Sequence, residues 1–155
     1  MIVQTYNFLD VEIAYSEITN QNINEILSVI KTGRGDANDL VASSFVVAKD
    51  GEIVIGCVRT KNLSADCIEL SSLVVLPQYR GKGIGSELVK RVLKKDARRP
   101  VYLLCMKSKE NFYKNLGFVS IEKDLLPEIL LKEYIRVAEK LGELKSEIIT
   151  MAIFN

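Results

Sequence analysis

Apolar and polar residues alternate through Val11-Glu12-Ile13-Ala14-Tyr15, a period of two that predicts a strand, with Ile2 to Tyr6 pairing beside it. The period then lengthens. Ile23, Ile26, Leu27 and Ile30 fall at helical spacing after a cap at Thr19 or Asn20. The loop-forming stretch Thr32 to Asp39 stops that helix. Two apolar runs follow, Phe45 to Ala48 and Ile53 to Val58, around Lys49-Asp50-Gly51-Glu52. Asp-Gly at the centre of that connection predicts a hairpin.

Cys67 to Leu76 reads as a further strand, closed by Pro77. Ile84, Leu88, Val89, Val92 and Leu93 form one face of an amphipathic helix. It ends in Lys94-Lys95 and Arg98-Arg99, cations suited to a helix C-terminus. Val101 to Met106 is continuously apolar, as a strand buried on both faces must be. Glu110 to Leu116 reads as a short helix stopped by Gly117, and Phe118 to Ile121 begins a strand. Pro127 opens a helix over Glu128 to Leu141, with Ile129, Leu130, Tyr134, Val137 and Leu141 apolar, and Ile148 to Phe154 closes as a strand. The order predicts an α+β fold with helices on both faces of one sheet.

Composition narrows the chemistry. At 155 residues and 48% apolar, the chain suits one domain with a real core, spanning 1–155. Lys+Arg 21 against Asp+Glu 20 gives a net charge of +1. That balance offers no general pull toward nucleic acid or an anionic membrane. No apolar run approaches the ~18 residues of a membrane span. The first residues lack the pattern of a signal peptide, so the expected location is cytoplasmic. Cys57, Cys67 and Cys105 are odd in number and widely spaced, as buried free thiols are in a reducing compartment. The absence of histidine removes Ser-His-Asp and Cys-His catalysis and most zinc sites, and no metal is expected. A general base must then be a carboxylate, a cysteine, a lysine, a tyrosine or an ordered water.

The segment richest in chemistry runs from the strand Cys67–Leu76 through Gln78-Tyr79-Arg80-Gly81-Lys82-Gly83-Ile84-Gly85-Ser86 into a helix. Alternating glycines allow backbone N–H groups to approach a phosphate, and a helix N-terminus adds its positive dipole end. Arg80 and Lys82 add charge beside them. The spacing fits neither the Walker loop nor the dinucleotide fingerprint. Taken alone, the glycines could equally make a plain turn.

Gln78-x-x-Gly81-x-Gly83 after Val-x-Pro resembles the acyl-CoA loop of the GNAT superfamily of N-acetyltransferases. Asn111 to Phe118 is similar to that superfamily's Tyr-x-x-x-Gly-Phe element, and Glu69 to Val75 to its fourth strand. The resemblance covers roughly Val41 to Ile121. It implies an α/β/α-layered, mixed but mostly antiparallel sheet of six or seven strands, splayed between strands 4 and 5. Acetyl-CoA would be the cosubstrate, its pantetheine arm in the splay against Leu73, Val74 and Val75. Arg80, Gly81, Lys82, Gly83, Ile84, Gly85 and Ser86 would hold the diphosphate. Tyr113 would protonate the leaving thiolate, and Glu69 occupies a position where some members carry a general base. Each has a plainer alternative: a tyrosine ring packed in the core, or an edge carboxylate without a catalytic part. Ser71 and Ser72 could position a water. Where many relatives carry Asn near the end of the fifth strand, this chain has Met106-Lys107-Ser108.

The Leu-Pro-initiated helix before the last strand resembles the amino-acid N-acetyltransferase branch, although it could simply cover the sheet or meet a second subunit. An amino-acid acceptor needs an anion site, for which Arg34, Arg59 and Lys61 are candidates. The Ile-Arg-x-Ala opening common in that branch is absent, Glu12 standing near the arginine's place. Three functions follow as alternatives: acetyl transfer to a small amine or amino acid, acetyl transfer to a protein N-terminus or lysine, and acyl-CoA binding without turnover. The resemblance also implies a homodimer.

Overall fold

The structure is a computed structural model that describes residues 12–18, 22–33 and 35–155. The elements run β1 (Ile13–Glu17), α1 (Ile23–Thr32), β2 (Phe45–Asp50), β3 (Ile53–Ser64), β4 (Cys67–Val75), α2 (Ile84–Lys95), β5 (Val101–Met106), α3 (Glu110–Lys114), β6 (Val119–Ser120), α4 (Glu128–Leu141) and β7 (Ile148–Ile153). They form a seven-stranded sheet ordered β1-β2-β3-β4-β5-β7-β6, in which only the β4–β5 pair is parallel. A parallel pair requires a crossover, and α2 supplies it. The expected Ile2–Tyr6 strand lies outside the described residues, and α1 starts later than expected, with Asn22 rather than Thr19 or Asn20 at its N-cap.

Both faces of the sheet are covered because β2, β3 and β4 alternate apolar residues toward each. Val46, Ala48 and Ile55 pack with Leu88, Val89 and Val92 of α2. Phe45, Val47 and Cys57 pack with Ile26, Val29 and Ile30 of α1 on the other side. The helix over Glu128 to Leu141 begins as its sequence predicts, with Pro127 at its N-cap and the carbonyl of Pro127 accepting from Leu130 and Leu131. Strand β1 runs on to Glu17, past the expected Tyr15, and α3 stops at Lys114, before the expected Leu116. Two boundaries around β3 differ as well. The loop between β2 and β3 is Gly51-Glu52, with Asp50 paired to Ile53, and Gly51 takes the positive φ of +59°. The turn is therefore centred one residue later, because glycine meets the left-handed requirement and leaves Asp50 in the strand. The third strand runs on to Ser64, six residues past the apolar run, because Thr60, Lys61 and Asn62 still pair with β4.

The decisive irregularity lies in β4. Between Arg59↔Ser71 and Cys57↔Val74 the register slips by one residue, and Ser72 sits in the bulge at φ +58°. A non-glycine residue holds that conformation only when its surroundings over-determine it. Ser72 Oγ donates to the Asp36 carbonyl at 2.6 Å and accepts from Arg59 Nε at 3.0 Å. Arg59 is 1% exposed. Its Nη1 donates to the Asp39 carbonyl at 2.9 Å, and its Nη2 to those of Asp36 at 3.2 Å and Asn38 at 2.7 Å. One guanidinium thus fastens the loop after α1 to the bulge. Beyond the bulge the sheet opens: β4 and β5 pair only at Ile68↔Val101 and Glu69↔Tyr102, while β5 stays in register with β7 along its whole length.

Replacing Arg59 with Met should remove four hydrogen bonds and release the carbonyls of Asn38 and Asp39 from the bulge. A loss of about 3–5 kcal/mol in urea unfolding is expected, as for a buried charged group taken from its partners. A loss below about 1 kcal/mol would mean that something other than Arg59 holds the loop.

Candidate functional site

After β4 the chain makes a tight turn over Pro77–Tyr79, with Tyr79 N–H donating to the Leu76 carbonyl at 2.9 Å. Gly81 and Gly83 then take φ of +77° and +79°, and at neither would a Cβ have any atom within 4 Å. The left-handed backbone calls for glycine, and the space above it is open. Gly83 is the N-cap of α2, and its carbonyl accepts from Glu87 N–H at 3.1 Å. The N–H groups of Ile84, Gly85 and Ser86 precede the first intrahelical bond and point out of the helix end. Such donors at a positive dipole end fit the diphosphate of a coenzyme A.

Two side chains brace this turn. The Tyr79 hydroxyl donates to Asp50 Oδ2 at 2.5 Å, tying the loop to the β2–β3 hairpin. Arg80 Nε donates to the Val75 carbonyl at 2.9 Å. Lys82 Nζ lies over the Tyr79 ring, 5.6 Å from its centroid. A cleft of about 570 Å³ runs from this loop along Leu73, Val74 and Val75. Its far wall is Ser108, Lys109, Phe112 and Tyr113.

A second cleft, of about 320 Å³, opens on the other side of the splay between β4 and α4. Leu73 and Tyr113 line both clefts, so the two meet where β4 and β5 part. Tyr113 is 9% exposed and packed edge-on against Phe112 and Phe118, with centroids 4.9 and 5.7 Å away. Burial, and then the neighbouring Cys105, hold its hydroxyl well above the usual tyrosine range, so it keeps its proton.

Charged groups crowd the second cleft. Asp36 from the loop after α1, Glu69 from β4 and Glu133 from α4 place carboxylate oxygens within 4.8 Å of one another. Glu69 is 5% exposed, and among the described residues its Oε2 is the one buried side-chain N or O atom with no hydrogen-bond partner. Burial, then the charges of Glu133 and Asp36, push its carboxyl up to about 7, against Lys61 and Arg136. Asp36 moves the other way. Burial alone would raise it, but the Asn38 N–H, Lys61 and Arg59 together hold it below the ordinary value. Arg136 forks onto Glu133 at 3.2 and 2.9 Å and lies 3.7 Å from Asp36.

The structure brings Glu69, Leu73, Val74, Val75, Tyr113 and the loop Arg80 to Ser86 around one splay, although Lys82 does not line the cleft. The acceptor-side cations fall differently. Arg34 lies outside the described residues. Arg59 is committed to the loop carbonyls and Ser72, and so is not presented to a ligand carboxylate. Lys61, opposite Glu69 across the strands, is ion-paired with Asp36 at 3.2 Å and Asp39 at 3.8 Å. The cysteines are poor bases, since burial pushes Cys57 up to about 12 and Cys105 to about 11. Sequence reasoning missed Asp36, Glu133 and Arg136. Glu133, Arg136, Val137 and Lys140 recur at three- and four-residue spacing along α4, which marks one helix face, but nothing local says that this face borders a site.

The chain is similar to several known proteins. An N-acetyltransferase of Chlorobaculum tepidum is 34% identical over 92 residues, which cover 57% of this chain and 58% of that protein. Among solved structures, N-acetylglutamate synthase from Neisseria gonorrhoeae, complexed with coenzyme A and N-acetyl-glutamate, superposes with a TM-score of 0.72 at 19% identity. That match covers 92% of this chain but 35% of the other. Rv2747 from Mycobacterium tuberculosis, in complex with CoA, superposes with a TM-score of 0.69 at 22% identity, over 92% of this chain and 99% of that one. The chain thus spans little more than half of its curated relative and about a third of the synthase, and at these identities the structural likeness concerns the fold. The acetyltransferase (GNAT) domain family matches residues 42–120, just over half of the sequence and the stretch that carries both the glycine loop and Tyr113, and the chain belongs to that family.

Proposed function

We propose that this chain, acting as one domain, is an acetyl-CoA-dependent N-acetyltransferase whose acceptor is the primary amine of a small molecule or amino acid. The observation that carries the proposal is the meeting of the two clefts at Leu73 and Tyr113, one framed by open glycine N–H donors and the other by a buried carboxylate. A small acceptor suits a cleft that α4 walls off on one side. Free cysteines accord with a reducing cytoplasm, and the family resemblance supports a homodimer. Among the described residues no helix is long and apolar enough to cross a membrane.

The loop N–H groups of Ile84, Gly85 and Ser86 anchor the diphosphate, and the unpaired edge of β4 beyond Glu69 receives the pantetheine arm. Glu69, ionised, takes one proton from the acceptor ammonium and frees the nitrogen lone pair for attack on the thioester carbonyl. The C–N bond forms, the C–S bond breaks, and a second N–H proton ends on the thiolate. Because Tyr113 holds its proton tightly, it serves the departing sulfur as a hydrogen-bond donor. Holding both reactants in the splay supplies much of the rate.

Calorimetric titration with acetyl-CoA should show binding in the wild type and none in Gly83→Glu, which drives a carboxylate into the anion site. A folded wild type that binds no acetyl-CoA sinks the reading. Tyr113→Phe should lower kcat about 10–100-fold and leave the KM for acetyl-CoA near its original value. Wild-type turnover in that variant would remove Tyr113 from the chemistry.

Glu69 also predicts a trade between rate and stability. Its folded value near 7 lies above the ordinary 4.5, so the folded form holds a proton that the unfolded chain releases. The stability this contributes is complete below about pH 4.5 and lost as the pH rises through about 7. Glu69→Gln should therefore stabilise the protein at pH 8 by roughly 1–3 kcal/mol, with little gain at pH 4.5. The same variant should lose about 10²-fold or more in kcat/KM, together with the limb that rises toward a plateau above pH 7. A pH profile unchanged by the substitution would exclude Glu69 as the base.

A further inference from the structure

We propose that the acceptor is a primary aliphatic amine with no carboxylate beside its nitrogen, bound as its ammonium ion between Asp36, Glu69 and Glu133. The inference rests on the acetyltransferase reading and names the acceptor class for the same site.

The three carboxylates come from a loop, a strand and a helix, and their oxygens lie within 4.8 Å of one another. A buried acceptor without a donor is costly, and Glu69 Oε2 is such an atom. With Glu69 ionised, a ligand N–H would supply the missing donor. A primary ammonium carries three donors on one small centre, one for each carboxylate. Beside the triangle, Leu104, Val137 and Leu141 give the cleft an apolar wall that suits an alkyl chain.

The cations at the site argue against a ligand carboxylate. Arg136 is already forked onto Glu133, and Lys61 is held by Asp36 and Asp39. An α-carboxylate approaching Arg136 would sit beside the like charges of Glu133 and Asp36, which that arginine already partners. A divalent ion is a poorer fit than an ammonium, because Arg136 and Lys61 already approach Asp36 Oδ2 at 3.7 and 3.2 Å. An ammonium spreads one charge over three hydrogen bonds and leaves those ion pairs in place.

The test compares n-butylamine with norvaline, the same amine with a carboxylate on its α-carbon. Each is titrated calorimetrically into protein saturated with CoA and then assayed for acetylation. Butylamine should bind at least about tenfold tighter than norvaline. Glu133→Gln, isosteric and on a partly exposed helix face, should weaken butylamine about tenfold or more without lowering the melting temperature. Arg136→Gln, which unmasks Glu133, should bind butylamine as tightly as the wild type or tighter. Norvaline binding equal to or better than butylamine, or butylamine affinity unchanged in Glu133→Gln, overturns the proposal. Displacement of butylamine by micromolar Mn²⁺ also overturns it, in favour of a metal site. If CoA binds and neither amine does, the amine proposal fails while the acetyltransferase reading stands. If butylamine binds as expected but is never acetylated by acetyl-CoA, the ammonium site stands while the acceptor assignment and the catalytic reading both fail.

Discussion

The guanidinium of Arg59 is the joint on which this architecture turns. It lies inside the protein and is satisfied by Ser72 Oγ and by three carbonyls of the loop after α1. That arrangement keeps Ser72 at positive φ, and the resulting bulge adds a residue to β4 opposite β3. A bulge bends its strand, and here the bend comes where β4 and β5 lose contact. The same arginine carries Asp36 to the rim of the second cleft, so the opening of the sheet and one wall of that cleft share a cause.

The cleft so formed is electrostatically crowded and nearly balanced. Asp36 and Glu133 have cationic partners, whereas Glu69 has an oxygen with none, and its carboxyl is pushed up to about 7. The imbalance works against folding and favours a base near neutral pH. Functional sites often keep such a conflict between stability and chemistry. Tyr113 has a different burden: its aromatic neighbours fill the core around it while its position at both clefts keeps it beside the splay.

Much of this was legible before any coordinates. The apolar runs gave β4, β5 and β7 within a residue and β2 short by two, the helical spacing gave α1 and α2, and Pro127 marked the start of α4. The glycine loop was legible because left-handed backbone restricts residue choice, and that restriction is written in the sequence itself. The hairpin turn was displaced by one residue, since Asp-Gly and Gly-Glu share the glycine and differ only in which strand keeps the neighbour.

The acceptor side was not legible for a related reason. Arg59 and Lys61 stand on β3 as cations available for a ligand, and only the folded loop reveals that Arg59 is consumed by carbonyls far away in sequence. Glu133 and Arg136 look like an ordinary helix-surface pair until α4 is laid beside β4. Sequence by itself determined what depends on neighbours along the chain: periodicity, the proline at the head of α4 and the positive-φ glycines of the turn before α2. Tertiary structure alone decided which charges meet, because Coulomb interactions and desolvation depend on distance and burial, and residues 36, 69 and 133 become neighbours only after the sheet has formed and opened.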